Sequence, residues 1–186
     1  MIKATKFIAI ALVAAASVSA HAGATDSSTL WVTPTIHDYG KIRLIPDAAF
    51  KPQPGRTYKV VFSLTQPAKQ PGEVNPALDR VARTVNLYVA SGVPLRDLKF
   101  VAVAYGAATP LALDDAHYRA AHGVANPNLP LIAQLKKAGV IVAVCGQALT
   151  EHEFEDSWID NDVMLALSGL TTVTTLEQQG YAEMPL

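Results

Sequence analysis

The sequence predicts an α/β fold, a three-layer sandwich around a mostly parallel central sheet, and three observations carry the prediction. From Tyr58 onward, strand-like runs alternate with stretches of helical periodicity. The strand runs are apolar throughout rather than at every second residue, which is the pattern of strands covered on both faces. Glycines fall where the helical periodicities stop: Gly92, Gly123, Gly139 and Gly180.

The chain opens MIKATKFIAIALVAAASVSAHAG. Lys3 and Lys6 precede a run of apolar and small residues from Phe7 to Val18, and Ala20-His21-Ala22 has the small-x-small form of a cleavage site. This is the layout of a secretory signal peptide over residues 1–22, and the run is short for a membrane span. The mature protein is expected to begin near Gly23, exported to the periplasm or beyond, with no membrane association after signal removal. Residues 23–56 read as an N-terminal arm. Pro34, Pro46, Pro52 and Pro54 interrupt regular structure there, while Trp31, Ile36, Tyr39, Ile42 and Leu44 supply enough apolar surface to pack it against the domain.

The domain proper spans residues 57–186. YKVVFSL, Tyr58–Leu64, is its first strand. Asn75-Pro76 reads as an N-cap with proline at the first helical position, and Leu78, Val81, Ala82, Val85, Tyr88 and Val89 line one face of the helix that follows. LKFVAVAY, Leu98–Tyr105, is the second strand, followed by YGAAT, a segment small enough to admit a ligand. Residues 114–122 form a short helix, and Leu131, Ile132 and Leu135 mark another that closes at Gly139. VIVAV is the third strand and delivers Cys145. Thr150-x-x-Glu153 has capping-box spacing, which predicts a helix starting there. VMLAL, Val163–Leu167, is the fourth strand. Ser168–Gln179 is the last helix, and YAEMPL supplies a short final strand.

The totals narrow the function. The formal charge is −1, and losing Lys3 and Lys6 makes the mature chain more acidic. With no basic block, nothing marks a nucleic-acid or anionic-lipid partner. Cys145 is the one cysteine in the sequence, so the fold is held by its core, and the thiol is free for chemistry or for an intermolecular bond. In parallel sheets ligands and reactions gather beyond the carboxyl ends of the strands, and Cys145 lies at that edge. A thiol acts as a nucleophile only as thiolate. The turn into a following helix favours negative sulfur, and Gly146 lets the backbone turn tightly there. Against this, Glu151, Glu153, Glu155 and Asp156 crowd the C-terminal side with negative charge. Cysteine is also among the residues most often buried as simple core.

No cofactor is expected, because there is no phosphate-binding glycine loop, no Gly-x-Ser-x-Gly turn and no paired metal signature. His117 and His122 stand five apart, which does not match ligand spacing on one helix face. His152 lies among Glu151, Glu153, Glu155, Asp156, Asp160 and Asp162; that cluster offers a cation site or, more simply, a solvated helix start.

NPNLPLIAQLKKAGVIVAVCGQAL, followed by VMLALSGLTTVTTLEQQGYAEM, resembles the DsrE/DsrF-like family from about Tyr58 to the C-terminus. The specific parts are Gly139-Val140, the Cys145-Gly146-Gln147 turn and Leu176-x-x-x-Gly180-Tyr181; Tyr39-Gly40 in the arm also looks like that of secreted members. The resemblance implies an α/β sandwich of flavodoxin-related topology and a homo-oligomer, trimer or hexamer. It also implies a sulfur relay in which Cys145 carries a persulfide, Gly146 and Gln147 shape its turn, and sulfur donor and acceptor proteins or small thiols are the partners. Secreted relatives often carry histidine before the glycine that ends the second strand; here the pair is Tyr105-Gly106, and a phenol is a poor base at neutral pH. Three readings stand. The first is a periplasmic sulfur carrier or thiol-redox protein, the second a ligand-binding or interaction module with Cys145 buried, and the third a metal site at His152.

Overall fold

The computed structural model describes residues 30–186. The expected signal peptide at residues 1–22 and the first residues of the arm lie outside the described residues. Five strands, β3 (Tyr58–Leu64), β4 (Leu98–Ala104), β5 (Ile141–Cys145), β6 (Val163–Ala166) and β7 (Ala182–Pro185), form one sheet in the order β6-β5-β4-β3-β7. Every neighbouring pair is parallel. The mostly parallel sheet of the prediction is therefore parallel throughout.

Five helices join the strands: α1 (Pro76–Ala90), α2 (Asp115–His122), α3 (Leu129–Lys137), α4 (Gly146–Glu151) and α5 (Gly169–Gln178). Helix α1 starts where Asn75 accepts hydrogen bonds from the Ala77 and Leu78 N–H groups, with Pro76 just inside. Its apolar stripe, Leu78, Val81 and Val85, packs with Leu131 and Leu135 of α3 on one sheet face, over Phe62 and Phe100, whose rings meet edge-on at 5.4 Å. The other face is thinner. Val61, Val101, Val103 and Ala143 pack there under Val173, with Leu176 and Tyr181 alongside.

These two faces explain the winding. Crossovers from β3 to β4, β4 to β5 and β5 to β6 step one way along the sheet and place α1, α3 and Leu149 of α4 on the thicker face. The last crossover steps back past three strands to β7, and with the usual handedness it must use the opposite face, where Val173 of α5 lies. The sheet is doubly wound, like the flavodoxin type, but in its own strand order. The chain leaves β5 toward one face and β6 toward the other, so the switch crevice opens between the carboxyl ends of these two strands.

A single helix cannot cover a five-stranded face, and the outer strands show it. Ile141 and Met164 on that face are exposed, as is the whole of β7. Coverage on both faces holds for the central strands only. The arm is ordered over its described part. It contributes an antiparallel pair, β1 (Trp31–Val32) with β2 (Ile42–Arg43), and buries Ile36 and Ile42. Among the described residues no helix is long and apolar enough to cross a membrane.

Candidate functional site

Strand β5 ends at Cys145, which pairs in register with Ala166 of β6 and so stands at the switch crevice. The sequence reading ends the third strand at the cysteine and begins a helix at Thr150. The structure keeps the strand end and corrects the helix start. Cys145 is the last strand residue and also the N-cap of α4, whose first residue is Gly146. Thr150 lies in the last turn of that helix. Glu153 adopts φ +59°, and the Phe154 N–H donates back to the Leu149 carbonyl at 2.9 Å, which closes the helix. The capping-box spacing misleads because the cap is already taken, five residues earlier, by a sulfur.

The Ala148 N–H donates to Cys145 Sγ at 3.4 Å. Serine, threonine or aspartate oxygen usually occupies this role. Cys145 is 5% exposed. The thiol thus combines a position at the mouth of the sheet with the burial of a core residue.

The other expected site residues fall around it in different ways. Gly146 is held between α4 and β6, where an added Cβ would sit 3.2 Å from the Ala166 carbonyl oxygen and 3.3 Å from Leu165 Cδ1. Gln147 spans the crevice, its Nε2 donating to the Leu167 carbonyl at 3.2 Å. Both lie in the first turn of α4, next to the thiol. Tyr105 directly follows β4 in extended conformation, and its N–H donates to the Leu64 carbonyl at 3.0 Å. Its ring lies against the start of α5, where a Cβ on Gly169 would come within 2.7 Å of Tyr105 Cδ1. It acts there as a packing surface. Gly106 takes φ +56°, which glycine alone adopts freely, and its carbonyl accepts from His152 Nε2 at 2.9 Å and Thr109 Oγ1 at 2.7 Å.

His152 therefore has a structural partner and gathers none of its acidic neighbours. Its ring stacks on Phe154, 5.4 Å between centroids. Among the described residues no three His, Cys, Asp or Glu side chains converge to hold a metal. His117 stacks on Trp158 at 4.7 Å and places Nδ1 2.9 Å from Asp114. Asp114 caps α2. Partial burial alone would raise its pKa, but the His117 N–H, the His117 ring and the Ala116 N–H together hold the carboxyl below its usual value.

Sequence reasoning missed three contributors. These are the Ala148 N–H, the Leu167 carbonyl and Gly169. Only Gly169 left a visible signal, a glycine at the first position of a helix already capped by Ser168, whose hydroxyl accepts from Leu170 N–H. The Leu167 and Ala148 groups are backbone, and no side-chain pattern announces them.

The sequence matches the DsrE/DsrF-like family over residues 59–185. No curated protein matches the chain. Among solved structures, the protein of unknown function MTH1491 from Methanobacterium thermoautotrophicum is similar, with a TM-score of 0.52 and 18% identity. The match covers 69% of this chain and 99% of that one, and at this identity it bears on the fold. A parallel five-stranded sheet, a Cys-Gly-Gln turn at its switch crevice and the family match agree: the chain belongs to the DsrE/DsrF-like family.

Proposed function

We propose that the protein is an exported sulfur carrier, or thiol-redox protein, that holds sulfane sulfur as a persulfide on Cys145. The observation that carries the reading is the Cys145 sulfur at the switch crevice, already accepting a backbone N–H. With thiosulfate as donor, the Cys145 thiolate attacks the outer sulfur, an S–S bond forms, the donor's S–S bond breaks, and sulfite leaves with the electron pair. An acceptor thiolate then takes the outer sulfur and returns Cys145 as thiolate. Export to the periplasm is part of the proposal, supported by the signal-peptide layout of residues 1–22.

A homo-oligomer, trimer or hexamer, is part of the proposal. Supporting it, Met164, Leu167 and Leu170 form exposed apolar surface on and just beyond β6, a strand whose outer edge is unpaired among the described residues. A second copy seated there would shield the loaded sulfur from water.

The 5% exposure of Cys145 favours one other reading, a ligand-binding or interaction module in which the cysteine is core. Intact mass before and after incubation with thiosulfate or polysulfide separates the two. The carrier gains one sulfur, about 32 Da, that reductant removes, and its Cys145→Ser variant gains none. That variant keeps its melting temperature within a few degrees, because a hydroxyl takes over the Ala148 N–H. An unchanged mass, with alkylation of Cys145 only in denaturant, establishes the module instead.

A further inference from the structure

The arm is sealed on its inner side and bare on its outer one. Ile36 and Ile42 are buried against the domain. Trp31 stands directly opposite Arg43 in the β1–β2 pair, so these two side chains share the face turned away from Ile42. Trp31, Leu44 and Ile45 are each half exposed or more, and Phe50 is exposed in full. Single apolar side chains on a surface need no explanation, but a contiguous group does. Arg43, Leu44, Ile45, Phe50 and Lys51 border one cleft of ≈ 790 Å³, where the loop after β2 stands off the end of α1.

Phe50 is held in that position. The Ala48 N–H donates to the Ile45 carbonyl at 3.2 Å, the Lys51 ammonium to the Pro46 carbonyl, and the Gln53 N–H to the Tyr58 hydroxyl at 2.7 Å. The loop is thus tied on both sides of the ring. Phe50 itself takes φ +56°, which a bulky residue adopts only under constraint. Its backbone is strained and its ring stands in water, and glycine would suit the turn better. For the chain alone such a residue is a cost, and it points to something outside the chain that receives the ring.

The charge around it has one dominant sign. Over the described arm Lys41, Arg43, Lys51 and Arg56 outnumber Asp38 and Asp47, in a chain whose formal charge is −1. None of the four cations forms an ion pair among the described residues. They make no basic block, which is why charge counting alone marks no anionic partner. The mark is the placing of cations beside exposed aromatic and aliphatic side chains.

We propose that this face of the arm docks peripherally on an anionic phospholipid bilayer, with Phe50, Leu44 and Ile45 entering the headgroup layer, Trp31 at its level, and Arg43 and Lys51 toward the lipid phosphates. Apolar and aromatic tips flanked by cations are the composition of interfacial anchors. Each cation near a negative leaflet adds attraction, and the long stems of Arg43 and Lys51 let their charges reach it. A fluid headgroup layer accepts a projecting ring, whereas a protein partner must offer a pocket shaped for it. Such contact is one-sided, since no helix among the described residues is long and apolar enough to cross a membrane. It is independent of Cys145 and of the sulfur-carrier reading.

The test uses the protein without residues 1–22, so that the apolar run from Phe7 to Val18 cannot anchor it. Vesicles of phosphatidylcholine, with and without phosphatidylglycerol, are the probe. The protein is expected to co-sediment with the anionic vesicles, to release as salt rises, and to ignore phosphatidylcholine alone. In a Trp158→Phe background Trp31 is the one tryptophan left, and its emission shifts to the blue on binding. Phe50→Gly weakens binding roughly tenfold or more, while its urea midpoint falls no lower than the parent's. Arg43→Gln weakens it roughly fivefold. Absence of vesicle binding, or full binding by Phe50→Gly, overturns the docking face. Equal binding to phosphatidylcholine alone overturns the anionic assignment. A Phe50→Gly variant that sediments as a smaller assembly, from a parent that ignores vesicles, makes the face a contact between copies of the chain instead.

Discussion

Asn86 shows how much one uncharged residue can organise. Its side chain is fully buried on α1, yet it serves the arm. Its Oδ1 accepts from the Thr35 and Ile36 N–H groups at 3.1 and 2.8 Å, and its Nδ2 donates to the Tyr39 and Gly40 carbonyls, both at 3.0 Å. Gly40 closes the contact. At φ +59° it lies directly on the α1 backbone at Ala82 and Arg83, with no room for a Cβ, and its N–H donates to Asp79 at 2.7 Å. Asn86→Ala strands four backbone groups at once. It is expected to cost about 3 kcal/mol, read as a lower urea midpoint, and to open the arm to limited proteolysis. A variant that melts like the parent and stays uncut would show that the arm contributes nothing to stability.

At the scale of elements, the docking of α5 rests on the fit between Gly169 and the Tyr105 ring. Gly169→Ala is expected to cost about 1–3 kcal/mol through overpacking, and most of that cost should vanish in a Tyr105→Ala background. A double-mutant cycle measures the coupling; additive changes would mean that the ring moves aside freely. The same elements show what was legible beforehand. Strand β3 was readable to the residue from YKVVFSL, and α1 from Asn75-Pro76 at one end and Gly92 at the other, because local chemistry alone decides those boundaries. Helix α4 was not, because its cap is a cysteine whose capping role depends on where the backbone turns. Cys145 itself was legible as a position, at the end of an apolar run. Its burial was not, since that depends on β6 and α4 closing over it from elsewhere in the chain. The role of Tyr105 turned on a glycine 64 positions away, beyond the reach of any local pattern.

At the scale of the molecule, the thin coverage beside β6 predicts assembly. Sedimentation of the mature protein is expected to give a trimer or hexamer, and Met164→Lys with Leu170→Glu to shift it to monomer with the fold retained. A parent chain that sediments as a monomer at tens of micromolar would remove the oligomer from the proposal.

The strand order also sets a schedule. Strand β3 emerges first of the five and ends between β4 and β7, but Glu183, which bonds Ser63, follows it by 120 residues. At ribosomal rates of about 5–20 residues per second, that is roughly 6–24 s during which one side of the sheet's earliest strand has no neighbour. A nascent chain in that interval presents an open, apolar β edge, the kind of surface that holding chaperones bind and that sticks to its own kind when they do not.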